Sequence, residues 1–228
     1  MDVDHLRRQL ETAGNFEEDV VYGYVVATVR PVQGQFQQRG SGPNWQGGLI
    51  TLCTCKHSMR AMLTPEEWRR GKWVAGLTGW NSAFAHQQSL VYLMRVGEAY
   101  SSHAVLVEQL RQTGRSAALA AKDASQNPLG DVMTPSRVGM PLHPYDPGAY
   151  RVPVLGHAHR QTESATDWHD DIDYGNQWDS RPALLVGDPE QSFLWTRPLV
   201  RRKEPGYTRP YRKWTFADFL DDLEDVPA

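Results

Sequence analysis

The stretch "SLVYLMRVGEAY", residues 89–100, decides how the rest of the chain is read. Its valine, leucine and tyrosine content is that of a β-strand. Alternation then places Val91, Leu93 and Arg95 on one face and Tyr92, Met94 and Val96 on the other. An arginine sharing a face with two apolar side chains is expected to reach a ligand or a structural partner. Both outcomes stay open for Arg95.

Similar strands precede it. "DVVYGYVVATVR" (19–30), "LITLCTC" (49–55) and "KWVAGLTG" (72–79) are β-branched or apolar runs bounded by turn residues. Residues 31–48, rich in Gly, Gln and Pro, read as a loop. Residues 3–13 read as a short helix. At "TPEEW" a helix starts, with Thr64 as N-cap, Pro65 in the first helical position and Glu67 closing a capping box. Residues 101–122 are helical by spacing of Leu106, Leu110 and Leu119. Residues 123–182 hold seven prolines and few apolar runs, so they read as a long irregular insertion. Strand character returns at 183–188 and 192–196. An acidic helix is expected over 215–225, with Thr215 as its cap.

This order predicts a single α+β domain over residues 1–228. Its core is a small, curved, mostly antiparallel sheet or barrel, built from about 19–100 and 183–200, with flanking helices. The long insertion covers about 123–182, and a basic-aromatic segment plus the acidic helix covers 197–226. No glycine-rich phosphate loop follows a strand, which excludes the common dinucleotide and P-loop signatures.

A formal charge of −3 excludes a global field toward nucleic acid or membrane; any such contact must be local. No apolar run approaches the length of a membrane span. The first residues lack a signal-peptide core, and two cysteines cannot build a disulfide framework. Both features predict a reducing, cytoplasmic setting.

Three blocks, "CTCKHSMR", "GKWVAGLTG" and "LVYLMRV", carry a resemblance. Their order resembles the plan of base-binding barrels of the PUA, ASCH and EVE type. More closely, it is similar to the nucleotide-modification-associated domains of the second type. That family carries a Thr-Cys-Lys strand exit followed by an arginine, matched here by Thr54, Cys55, Lys56 and Arg60. Further similarity runs through Gly71 to Gly79, Leu90 to Val96, Gly130 and Asp131, His157 and His159, and the closing "ALLVGDPEQSFLW". Lys72 stands where the family has an acid. The resemblance implies a PUA/EVE-like barrel and a substrate class, modified bases or nucleotides in DNA modification or phage defence.

Candidate residues follow from chemistry and from that resemblance together. Lys56 and Arg60, cations at a strand exit, suit a phosphate or base; a solvated surface is the alternative. Cys53 reads as core, and four-ligand zinc finds no second cysteine pair. Cys55, beside Lys56, is a candidate nucleophile if the cation lowers its pKa. Trp80, past a strand end, is placed to stack a base, with Tyr92 and Arg95 as further binding candidates. His157, His159, Asp131 and Asp171 are the candidate acid–base groups. His157 and His159 with His169 also allow a divalent metal site, the third reading. Arg201, Arg202, Lys203, Arg209, Tyr211 and Arg212 interleave charge and rings as nucleic-acid-contacting segments do. The alternative is that they fold against the acidic helix.

The expected function is therefore action on a modified base or nucleotide, with DNA or a nucleotide as partner. The enzyme would be a base-modifying transferase or glycosylase; the alternative is a non-catalytic reader that flips and binds the base. The sequence names no cofactor.

Overall fold

The computed structural model describes residues 1–11, 18–124, 130–153, 168–177, 181–206 and 210–227. In chain order the elements begin with α1 (Val3–Leu10), β1 (Val20–Val25), β2 (Val29–Val32), β3 (Gln35–Gln38) and β4 (Thr51–Leu52). The short helices α2 (His57–Arg60) and α3 (Pro65–Trp68) follow, then β5 (Lys72–Leu77), β6 (Leu90–Tyr100), α4 (His103–Gln112) and α5 (Ser116–Ala124). The chain closes with α6 (His169–Gln177), β7 (Leu184–Leu194), β8 (Val200–Arg202), β9 (Arg212–Thr215), α7 (Phe216–Asp221) and β10 (Leu223–Asp225).

The α+β class is as expected. The largest sheet is mixed and has six strands in the order β4-β7-β6-β5-β1-β9. It is open, because β4 and β9 are edges that do not meet. The closed barrel is thus not what the described strands form. One pair, β1 with β5, is parallel, with Val21 opposite Trp73. The remaining two sheets are the β2–β3 hairpin and the β8–β10 pair.

Several boundaries differ from the sequence reading for local reasons. The expected loop 31–48 begins with a hairpin turned by Gln33 and Gly34, both at positive φ. The two strands expected at 183–188 and 192–196 are one strand, β7, which runs through Pro189. The strand expected over 49–55 is cut to two residues. Lys56 takes a left-handed conformation (φ 60°, ψ 42°) and turns the chain into α2. Such a conformation is unfavourable for a side-chain-bearing residue by about 1–2 kcal/mol. The Thr64 capping box forms as read: Glu67 N donates to Thr64 Oγ1 at 3.2 Å, and Thr64 N donates to Glu67 Oε2 at 2.8 Å.

The chain gathers into two compact units. The first comprises Met1–Gln38, Arg69–Gly97 and Gly187–Ala228; the second comprises Arg39–Trp68 and Glu98–Val186. In the first unit Leu6 and Leu10 of α1, Trp73 of β5, Leu93 of β6, Phe193 of β7 and Phe219 of α7 share one core. Gly23 on β1 permits a close approach here: a Cβ at that position would meet Trp214 at 2.6 Å. Trp73 is satisfied inside by donating Nε1–H to Asp19 Oδ2 at 2.8 Å. The acidic C-terminus is a shorter helix than expected, capped by Thr215 as read, and then a strand. That strand pairs with β8, so Arg201 meets Glu224 at 2.8 Å and Arg202 meets Asp222 at 2.6 Å.

In the second unit α4 and α5 pack with Cys53, Leu184 and Val186 in one cluster. A second cluster gathers Met133, Tyr150, Trp168 and Ile172 from the long insertion. The insertion is therefore not all irregular: it supplies α6 and its own apolar contacts. Among the described residues no helix is long and apolar enough to cross a membrane.

Candidate functional site

The second unit holds a narrow slot lined by His57, Arg60, His103, Tyr145, Asp171 and Tyr174 among others. The turn at Lys56 starts α2, and three-residue helical spacing puts His57 and Arg60 on neighbouring positions of that single turn. From the insertion, α6 brings Asp171 in its first turn and Tyr174 one turn later. His57 Nε2 lies 3.0 Å from Asp171 Oδ1, and the Asp171 side chain is fully buried while His57 is 14% exposed. An ionised carboxylate only accepts, so the ring donates Nε2–H to it. Tyr174 stacks flat on the imidazole, with centroids 4.0 Å apart and planes 11° apart. The ring is thus fixed in orientation.

Arg60 is buried and backs the slot. Its Nε donates to the Cys55 carbonyl at 2.7 Å and its Nη1 to the Ala183 carbonyl at 2.6 Å. Trp68 in turn donates Nε1–H to the Arg60 carbonyl at 3.0 Å. Across the slot, the Arg181 guanidinium sits 3.2 Å from the Tyr145 ring centroid. His103, at the start of α4, also lines it and accepts Met133 N–H on Nδ1 at 3.1 Å. The enclosed space is about 20 Å³, room for one water-sized group, so a larger ligand must enter from the open side.

Tyr145 is carried by a loop that is pinned at its base. Ser136 N donates to the Ala149 carbonyl at 2.9 Å, and the Tyr150 hydroxyl donates to the Pro144 carbonyl at 2.5 Å. Burial pushes the Tyr150 pKa up to about 12, against a backbone hydrogen bond that lowers it. Between pH 10 and about 12 the folded state then holds the proton that the unfolded state has lost. Stability conferred by this group is present below pH 10 and falls as pH rises through that window. The thermal midpoint should decline across this window in the unaltered protein, and Tyr150→Phe should flatten that decline. Equal slopes in the two proteins would remove Tyr150 as the cause.

A second polar network lies deeper in the same unit. Lys122, fully buried, donates from Nζ to the Asn44 carbonyl and Asn44 Oδ1, both at 3.0 Å, and to the Leu49 carbonyl at 2.5 Å. Asp131, also fully buried, accepts from Thr51 Oγ1 at 2.7 Å and from Cys53 N at 3.1 Å. Burial raises the Asp131 carboxyl pKa, with Lys122 the first of the opposing influences.

The structure sorts the sequence candidates accordingly. It brings Asp171 and Arg60 together, with His57, Tyr174, Tyr145 and Arg181 as residues the sequence reading did not single out. His57 stood inside the quoted Cys-Lys-His block, three residues before Arg60, and that spacing was the available signal. Asp131 is committed to holding β4 and lies away from solvent. Lys56 contributes its backbone turn and is half-buried. The thiol of Cys55 is pushed up by burial and then by Asp171, so the lowered pKa expected from Lys56 is not found. Cys53 is fully buried core, as expected.

In the first unit, Tyr92 is fully buried and donates to the Tyr24 hydroxyl at 2.9 Å, which removes it from ligand contact. Arg95 donates to Gln191 Oε1 at 3.1 Å, the structural outcome. Trp80 is 56% exposed, beside the edge of His86. Arg201, Arg202 and Lys203 bond to the acidic segment, Lys203 through the Asp221 carbonyl at 2.6 Å. Tyr211 and Arg212 lie against Tyr22 and Trp214. His157, His159 and Arg209 lie outside the described residues. Among those described, no group of three His, Cys, Asp or Glu side chains could hold a metal ion. No family model, curated protein or solved structure matches the chain.

Proposed function

We propose that the protein acts on a nucleobase, in DNA or as a nucleotide, as part of a modification or phage-defence pathway in the cytoplasm, with the His57 slot as its reacting site. The observation that carries the reading is the His57–Asp171 pair at 3.0 Å, with the carboxylate buried and the ring held flat by Tyr174. A ring so oriented can take a proton on Nδ1 and return it, the work of a general base and then acid. Arg181 and Arg60 supply positive charge at the wall, which favours an oxygen that gains negative charge in a transition state. The substrate class comes from the resemblance of the three strand blocks, whose base-binding plan would here be realised on an open sheet.

The test is nucleoside mass spectrometry of modified and unmodified DNA, and of nucleotide mixtures, after incubation with the purified chain. The expected result is a new or missing nucleoside, with the rate reduced about 10²–10⁴-fold by His57→Gln. A non-catalytic reader is the second reading, and the half-exposed Trp80 favours it as a stacking surface for a flipped base. In that case no nucleoside changes, one modified DNA is retained, and Trp80→Ala releases it. Neither turnover nor retention would overturn both readings.

A further inference from the structure

Arg60 is only 1% exposed in the wall of the His57 slot, yet its guanidinium is not fully engaged. Nε and Nη1 donate to the carbonyls of Cys55 and Ala183. Among the described residues Nη2 has no partner, and unlike Nη2 of Arg202 it is not sealed from solvent. The surface it keeps belongs to the slot, the hollow that Arg60 lines. Two backbone carbonyls already hold the fork in place. What remains is a charged donor on a rigid mount, on the same turn of α2 as His57.

A buried charged donor without an acceptor is costly, and native proteins seldom keep one. A guanidinium has no lone pair to offer, so its counterpart must be an acceptor. The size of the space narrows the choice. The enclosed part of the slot is about 20 Å³, which is one water-sized group. A single exocyclic atom of a planar base fits there while the ring stays at the open side. A whole tetrahedral phosphate is too large. Its charge is also unfavourable, because the buried Asp171 carboxylate lines the same slot and opposes a second anion.

An exocyclic amino group has the right size but points hydrogens at Nη2. An exocyclic carbonyl oxygen presents the lone pair that the donor needs. Guanine, cytosine, thymine and uracil each carry such an oxygen; adenine carries none.

We propose that the slot seats an exocyclic carbonyl oxygen of the base, which accepts from Arg60 Nη2, and that it thereby excludes adenine-type bases. The inference rests on the nucleobase reading of the slot and narrows its substrate class to bases with a keto group. Exclusion follows from the unpaired state: an amino group in the slot leaves the guanidinium desolvated and without an acceptor. Sites built around such a hydrogen bond discriminate steeply for that reason.

The test follows the His57 ring by nitrogen-15 NMR in the full chain labelled at histidine, since that ring lines the slot with Arg60. Its resonances are assigned by their loss in His57→Gln or by their shift in Asp171→Asn. The probes are deoxyguanosine, deoxyinosine, deoxycytidine, thymidine, deoxyuridine and deoxyadenosine, with inorganic phosphate and acetate beside them. The expected result is a saturable shift with at least one carbonyl-bearing nucleoside. Deoxyadenosine should bind at least roughly 10-fold more weakly than that ligand, the effect of one unpaired charged donor. Arg60→Met keeps an unbranched stem without the donor and should erase the difference. If that variant does not fold, the nucleoside series on the unaltered protein decides alone. Deoxyadenosine binding as tightly as the best nucleoside would overturn the inference and leave the nucleobase reading standing. A preference that persists in folded Arg60→Met would overturn the role of Arg60. Saturation by phosphate or acetate at the concentrations the nucleosides need would overturn the carbonyl as occupant. No shift with any nucleoside would overturn the inference and the nucleobase reading together.

Discussion

Replacing Lys122 by methionine should lower the unfolding free energy by about 3–5 kcal/mol, the cost of removing one member of a buried charged network. Methionine is also unbranched and only one atom shorter, so packing around α5 changes little. What changes is electrostatic. Three oxygens, two from Asn44 and one from Leu49, lose the ammonium donor. Asp131 loses the cation that most opposes its burial. Total stability of a domain is about 5–15 kcal/mol, so the variant should show a sharply lower denaturant midpoint and reduced soluble yield. Adding Asp131→Asn should then cost less in the Lys122→Met background than in the unaltered protein, because the carboxylate is already uncompensated. A Lys122→Met loss below about 1 kcal/mol in urea unfolding would mean that the network contributes little beyond hydrogen bonds of ordinary strength.

The second large effect falls on chemistry. Asp171→Asn should preserve the fold, because the amide is the size of the carboxyl. It should nonetheless reduce turnover of the responsive nucleoside by about 10²–10⁴-fold, as loss of an oriented general base does. The reason is the tautomer. An asparagine can present N–H to His57 Nε2, which would move the ring proton to Nδ1 and remove the lone pair from the reacting side. Nitrogen-15 NMR of the His57 ring reads this change directly and separates it from unfolding. If the tautomer changes and turnover does not, the His57–Asp171 pair is a structural tie between α2 and α6. If both change together, the pair acts on substrate.

Neither effect could be ranked from sequence, for related reasons. Asp131 and Asp171 are both aspartates of a proline-rich insertion, and both were candidate acid–base groups. Burial and partners separate them: Asp131 faces Thr51, a backbone N–H and Lys122, whereas Asp171 faces an imidazole at a slot. Thr51, Cys53 and His57 lie 80, 78 and 114 residues away along the chain, beyond any periodic signal. The same holds for the basic segment. Its composition suits nucleic acid, and the alternative of neutralisation by the acidic C-terminus was equally visible. Pairing of β8 with β10 commits Arg201 and Arg202 to carboxylates but leaves Arg212 and Lys213 on aromatic rings.

Local pieces are legible in the residues alone. The sequence placed the strands around 72–79 and 89–100, found strand character over 19–30 that the fold splits into β1 and β2, and marked the caps at Thr64 and Thr215, because alternation and capping act within a few residues. The order of strand and helix segments was enough for an α+β class. Tertiary structure alone decided that the sheet stays open with β4 and β9 as edges, since closure depends on strand order and not on strand content. It decided that Tyr92 is core and Trp80 is surface, although both are aromatic and both were binding candidates. It also decided that His57 is the imidazole with a buried carboxylate partner. Burial, the meeting of distant carboxylates with cations, and the left-handed turn at Lys56 are properties of the folded chain, and they determine which polar residues are left to meet a ligand.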